Sequence, residues 1–185
     1  MSTIEFAARH TCDSPEWYTP APFVEAARDV MGGIDLDPAS HEEANRTVKA
    51  TRFFTAEDDG LKQAWSGRVF LNPPGGLVAD FWRKLIAEMP FILKAIWIGY
   101  SLEQLQTLQQ AGARQTPLDF PMCVTARRIA FVENEAKRAE REAKLIAAGK
   151  KPNVKSSPSH SNYITYIGED ADTFRRVFAQ FGNVR

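Results

Sequence analysis

Two consecutive prolines, Pro73 and Pro74, stand directly after the apolar run Val69-Phe70-Leu71 and the single polar residue Asn72. Proline offers no amide hydrogen to a strand ladder, so two in a row end a strand and fix the backbone beyond it. A short apolar burst without alternation suits a strand buried on both faces, as in a parallel sheet. The chain is thereby committed to a buried strand at 69–71 whose carboxyl end opens into a rigid polar turn. In open α/β sheets reactive groups gather at the carboxyl ends of strands, which makes this turn the first place to look for chemistry.

The neighbouring segments fit such a sheet. Pro20 and the run 21–31, followed by Gly32-Gly33, predict a helix with proline at its start and glycine past its end. Ile34 to Asp37 predicts a short strand closed by Pro38, and Ser40 with Glu43 predicts a capping box for a helix reaching about Ala50. A short strand is expected at 51–54, a turn at 56–60 with a long loop toward Trp65, and a helix at 77–88 carrying Phe81, Trp82, Leu85 and Ile86. A strand at 95–98 and a helix at 101–110 follow. Repeated strand–helix alternation predicts a doubly wound α/β fold. With 185 residues, of which 44% are hydrophobic, one core and one domain are expected.

The rear third reads differently. Residues 122–132 predict a strand pair, or one long strand broken at Arg127-Arg128. A polar helix follows, supported by Glu133/Lys137 and Glu140/Lys144 at i,i+4 spacing, and then a basic, breaker-rich loop. A strand at 162–167 and a helix at 171–181 close the chain. Residues 1–16 lack periodicity and read as an arm, leaving a domain at 17–185 with an insertion at about 133–161.

Charge sharpens this division. The chain is neutral overall, but residues 1–113 carry a net of minus 5 and residues 114–185 a net of plus 5. Neutrality argues against a protein that coats nucleic acid, whereas the asymmetry suits a small-molecule pocket beside a phosphate-binding surface. Arg127, Arg128, Lys150, Lys151 and Lys155 are the candidate phosphate contacts, with a solvated charged face as the competing reading. Cys12 and Cys123 are isolated thiols outside any zinc-type spacing, so no metal is expected. No apolar stretch has the length of a membrane span and the first residues lack a leader's layout, so a cytoplasmic protein is expected. No spacing suggests a nucleophile–histidine–acid set, so covalent catalysis is not expected.

Asn72-Pro73-Pro74 suits chemistry on an aromatic amine. The nitrogen's lone pair is delocalised into the ring, so attack on a methyl sulfonium needs acceptors that draw the N–H bonds out of plane. The Asn72 side-chain carbonyl and the Pro73 backbone carbonyl are two such acceptors. The prolines hold them in place, and orientation is the main gain in a methyl transfer.

With Trp17-Tyr18-Thr19-Pro20, Asp35-Leu36-Asp37-Pro38-Ala39-Ser40, Asp59-Gly60-Leu61 through Trp65-Ser66-Gly67, and Arg128-Ile129-Ala130-Phe131, this turn completes an ordered set. The set resembles the DNA N6-adenine methyltransferases of phages and prophages, a compact branch of the class I methyltransferases. The likeness covers most of residues 16–132, with weaker support to 168. It implies a Rossmann-like sheet with helices on both faces, S-adenosylmethionine as cofactor, duplex DNA as partner, and a monomer or weak dimer in a bacterial host cell. By the same resemblance Asn72, Pro73, Pro74 and Gly75 are the catalytic turn. Tyr18, Thr19 and Pro20 lie over the cofactor's methionine end, while Asp37, with Asp35, holds either that end or the ribose hydroxyls. Asp58 or Asp59 stands beside the cofactor's adenine.

Two departures from the family pattern stand out. No glycine-rich loop follows Asp37, where His41-Glu42-Glu43 comes soon after, and the fourth position of the turn is Gly75 instead of an aromatic residue. Phe81 or Trp82 is the available substitute, although their helical spacing favours the core. Residue chemistry alone leaves three alternatives open: N4-cytosine methylation, methylation of RNA or protein, and a degenerate scaffold that binds DNA or a partner.

Overall fold

The computed structural model describes residues 17–110, 115–133, 135–149, 151 and 160–185. The readings of residues 1–16, of Lys150 and Lys155, and of the loop at 152–159 lie outside them. The front of the chain forms β1 (Trp17–Tyr18), α1 (Ala21–Met31), β2 (Leu36–Asp37), α2 (Glu42–Val48) and β3 (Arg52–Phe53). The middle forms β4 (Gly67–Leu71), α3 (Val78–Glu88), β5 (Ile92–Tyr100) and α4 (Leu102–Gln110). The rear forms β6 (Met122–Thr125), β7 (Val132–Glu133), α5 (Glu135–Ala147), β8 (Asn162–Ile167), α6 (Ala171–Phe178) and β9 (Gly182–Val184).

Seven strands build one mixed sheet in the order β3-β2-β4-β5-β8-β6-β9. The first four are parallel, and β8 runs antiparallel between β5 and β6. From β2 the chain moves outward to β3 and then returns on the other side of β2 as β4, so its order reverses between β2 and β4. Such a reversal opens a crevice beyond the carboxyl ends of the two strands.

Strand periodicity divides the side chains between two faces. Phe70, Ile96, Ile98, Ile164 and Tyr166 join a core beneath α1 and α6. Val69, Leu71, Ala95, Trp97 and Tyr163 join a second core beneath α3 and α4. Covering on both faces is why β4 and β5 read as continuous apolar runs. Phe81 and Trp82 are buried here, Phe81 stacked on Trp65 and Trp82 edge-on to Trp97 at 4.9 Å. Neither is available to a ligand.

Several local expectations are corrected. The cap of α2 is His41, whose Nδ1 accepts from Glu43 N at 3.3 Å, in place of Ser40. β6 and β7 do not pair with each other: β6 joins the main sheet, while β7 pairs antiparallel with β1 in a separate ribbon. Glu133 therefore belongs to a strand, and within α5 the i,i+4 pairs Glu140–Lys144 at 3.0 Å and Arg138–Glu142 at 2.9 Å are formed. The last helix stops at Phe178, and Gly182–Val184 adds an edge strand against β6.

At the amino ends of β2 and β4, Arg68 grips Asp35. Its Nη2 and Nε donate to the carboxylate at 2.5 and 2.8 Å, its backbone N–H donates at 2.8 Å, and its Nη1 reaches Gly32 O at 2.5 Å. Arg68 holds the Asp35 carboxyl below the usual carboxylate range. We expect Asp35→Ala to lower unfolding free energy by about 1–2 kcal/mol, since it strips three donors of a partly exposed acceptor. Denaturant midpoints of the two proteins check this.

Candidate active site

Five strands deliver polar residues to one edge of the sheet. Asp37 ends β2, Asn72 follows β4 and Tyr100 ends β5. β6 runs in the direction of β5, because both are antiparallel to β8, so Arg127 and Arg128 leave from this edge too. Asn162 begins β8 there, buried, with Oδ1 accepting from Ile129 N at 2.9 Å and so tying down the segment that carries the arginines.

Asn72 is half-buried, Pro73 buried and Pro74 exposed. Beyond them Gly75–Leu77 makes a tight turn closed by Leu77 N to Pro74 O at 3.0 Å. The Asn72 Nδ2 donates to Trp17 O at 3.2 Å. That bond commits the amide's donor side to the protein and leaves Oδ1 as the acceptor of the side chain. It also draws β1 to the turn: Tyr18 is paired with Val132, Thr19 is buried, and Pro20 starts α1. Tyr18, Thr19 and Pro20 are thus assembled beside Asn72.

Asp37 is buried, with Ala39 N donating to its Oδ1 at 3.3 Å. Burial pushes its carboxyl up to about 7, against smaller opposing effects of that N–H and of the neighbouring Ser40 hydroxyl. Ser40 Oγ is itself buried and makes no hydrogen bond of good geometry. Gly60 packs so closely on Pro38 O that a Cβ there would overlap it, which brings the 59–60 turn against the end of β2. Trp65 Nε1 holds this turn by donating to Gly60 O at 2.8 Å.

The two other acidic candidates do not reach this place. Asp35 sits at the opposite end of β2, engaged by Arg68. Asp58 is exposed and closes its own turn, accepting from Thr55 N and Oγ1 at 2.9 and 2.8 Å. Asp59, named in the sequence only as the alternative to Asp58, is the better-placed group: Oδ2 meets Lys62 at 2.8 Å, while Oδ1 is buried without a partner. Of the basic candidates described, Arg127, Arg128 and Lys151 are all exposed. Sequence reasoning passed over Tyr100, and its signal was an aromatic residue closing the longest apolar strand next to a turn that lacks one.

A model of the DNA N-6-adenine-methyltransferase (Dam) family matches residues 9–148. The chain belongs to that family. The match spans the Asn72 turn, Asp37 and the arginines, which the fold gathers at one sheet edge. No curated protein and no solved structure matches the chain. This Dam-family protein has, among its described residues, no helix long and apolar enough to cross a membrane and no His/Cys/Asp/Glu cluster of metal-binding type.

The buried Asp37 has a consequence for stability. Its carboxyl titrates near 7 when folded and near the ordinary 3.8 when unfolded, so between these values the folded state holds the extra proton. Stability contributed by this group therefore falls as pH rises through that window, by up to about 4 kcal/mol. Asp37→Asn should remove that slope, so that the variant gains on the wild type between pH 5 and pH 8 in denaturant titrations. An unchanged difference across that range would contradict the assignment.

Proposed function

We propose that this Dam-family chain transfers a methyl group from S-adenosylmethionine to the N6 amine of adenine in DNA. The observation that carries the reading is Asn72, whose Nδ2 is taken by Trp17 O so that Oδ1 is left as the side chain's acceptor, at the end of the strand beside the order reversal. The sheet order and the helices on both faces support a class I methyltransferase sheet in which β2 takes the first-strand position.

Asp37, Ser40 and Asp59 fit the cofactor by their chemistry. They are a buried carboxyl, a buried hydroxyl and a half-buried carboxylate whose bonding capacity the protein leaves partly unused, and the cofactor brings ammonium and hydroxyl donors. We assign Asp37 and Tyr18-Thr19-Pro20 to its methionine end and Asp59 to its nucleoside. Asp35 has the separate role of clamping β2 to β4.

Bound there, the cofactor would supply an electrophilic sulfonium methyl, so that an amine nitrogen would gain the N–C bond as the S–C bond is lost and would release its proton to solvent. Asn72 Oδ1 and the Pro73 carbonyl accept the two amine hydrogens and draw the nitrogen toward tetrahedral geometry. Neither has to be a strong base. Pro73 and Pro74 keep the acceptors fixed, so little reorganisation accompanies the reaction. A base inside a duplex must be extruded to reach them, and Arg127, Arg128 and Lys151, extended in sequence by Lys150 and Lys155, hold the distorted backbone through its phosphates. Residues 17–185 form the methyltransferase unit, with about 133–161 as an excursion from it.

The same turn would serve the N4 amine of cytosine, and family membership is what favours adenine. Labelled methyl transfer to unmethylated duplex DNA, followed by nucleoside analysis, separates the two. Wild type is expected to produce N6-methyladenine. Asn72→Ala should fall by at least about 100-fold in kcat while binding S-adenosylmethionine within a few-fold of wild type. Absence of transfer by wild type, with cofactor bound, would overturn the proposed substrate.

A second expectation concerns the arginines. Replacing Arg127 and Arg128 together by alanine should flatten the dependence of log DNA affinity on log salt by about 2, with cofactor affinity unchanged. Binding titrations at several salt concentrations measure it.

A further inference from the structure

The turn that presents Asn72 ends in two exposed glycines, Gly75 and Gly76, and so offers no side chain of its own to an extruded base. The neighbouring strand fills that position. β4 and β5 pair in register up to Leu71 and Trp97, so Tyr100 leaves β5 as many residues past the last paired position as Pro74 leaves β4. A Cβ built on Gly75 would stand 2.8 Å from the Tyr100 hydroxyl and 3.8 Å from its Cζ. Glycine at 75 and tyrosine at 100 are therefore mutually dependent: a larger residue at 75 would displace the ring.

The backbone that carries the ring is held from several sides. Tyr100 N donates to Gln104 Oε1 at 2.9 Å, and Tyr100 pairs with Asn162 of β8. Immediately after it, Ser101 adopts a left-handed φ of 57°, uncommon for a non-glycine residue, and its N–H is bound by Ser161 O at 2.9 Å. The His160 ring approaches Tyr100 at 5.7 Å between centroids, tilted by 33°. Tyr100 remains only half-buried despite these contacts. Phe70, Phe81 and Trp82, the aromatic residues near the turn in sequence, are sealed in the core.

We propose that Tyr100 supplies, from the adjacent strand, the aromatic wall for the extruded base that the Asn72-Pro73-Pro74-Gly75 turn lacks. This rests on the methyltransferase reading above. Stacking on an aromatic ring is worth about 1–3 kcal/mol per base, or about 5- to 150-fold. Tyr100 is thus a substrate-binding residue, and its loss is felt where DNA engages, not where the cofactor does.

The test is a swap between the two positions, read as kcat/KM for methyl transfer to duplex DNA alongside S-adenosylmethionine binding and thermal melting. Tyr100→Leu, which keeps bulk but removes the ring, should lose about 10- to 100-fold in kcat/KM with cofactor affinity within a few-fold of wild type. Tyr100→Phe should stay within about 3-fold. Gly75→Tyr alone should impair transfer through collision, whereas Gly75→Tyr combined with Tyr100→Ala should recover at least about 5-fold over Tyr100→Ala alone. A purely structural tyrosine would give no such recovery, and its absence in folded, cofactor-binding protein overturns the proposal. So would Tyr100→Leu at wild-type activity, or Tyr100→Phe as damaged as Tyr100→Leu. If wild type itself transfers no methyl group to DNA, the functional reading fails first, and that result is distinct from each of these.

Discussion

The pairing of β2 with β4 is the contact on which the site depends. It consists of one register position, Leu36 opposite Val69, and both side chains enter the core beneath α3 and α4. A slip of one residue would turn Leu36 to the other face and carry Asp37 away from its present place. The register is fixed at one end by that apolar match and at the other by the Asp35–Arg68 clamp, whose several bonds draw on backbone and side chain alike. Distance from the Asn72 turn suits a clamp: a carboxylate spent on an arginine has little left to offer a ligand.

Rigidity and freedom meet at the Asn72 turn. Its two prolines restrict the backbone, and the side-chain bond to Trp17 O commits Nδ2 and leaves Oδ1 as the acceptor. That bond joins parts far apart in the chain, because Trp17 is itself held by Glu133 in the β1–β7 ribbon. A segment that crosses over the turn is thereby coupled to the segment that carries the arginines. Opening the ribbon would release both a candidate cofactor contact and the orientation of Asn72. Past Pro74 the turn loses its side chains, and the space belongs to Tyr100.

Electrostatics sets this edge apart from the rest of the sheet. A carboxyl buried as Asp37 is gains little from solvation, and one weak backbone bond does not compensate for that loss. The group destabilises the fold near neutral pH, a disadvantage that a ligand carrying hydrogen-bond donors would offset. Beside it, Ser40 and Asp59 keep buried oxygens without partners. The opposite charge stands at the far end of the same edge, on exposed arginines free of buried ion pairs among the described residues, as suits contact with phosphate.

Much of this was legible in the sequence, wherever one local force dominates. Proline before and glycine after the run 21–31 set the bounds of α1, and apolar runs closed by breakers set β4, β5 and β8, because chain stiffness and burial act within a few residues. The conformation of the Asn72 turn was legible for the same reason: two prolines after an apolar strand admit few conformations. What depended on partners distant in the chain was not. Whether β6 and β7 pair with each other, which of Asp58 and Asp59 faces inward, and whether Asp35 binds a ligand or Arg68 are decided by the neighbours that strand order supplies. Tyr100 is the clearest case. The sequence reading ends the apolar strand at 98 and gives Tyr100 no place, and only the extension of β5 and its parallel register with β4 bring the residue over a glycine that has no side chain to keep it out.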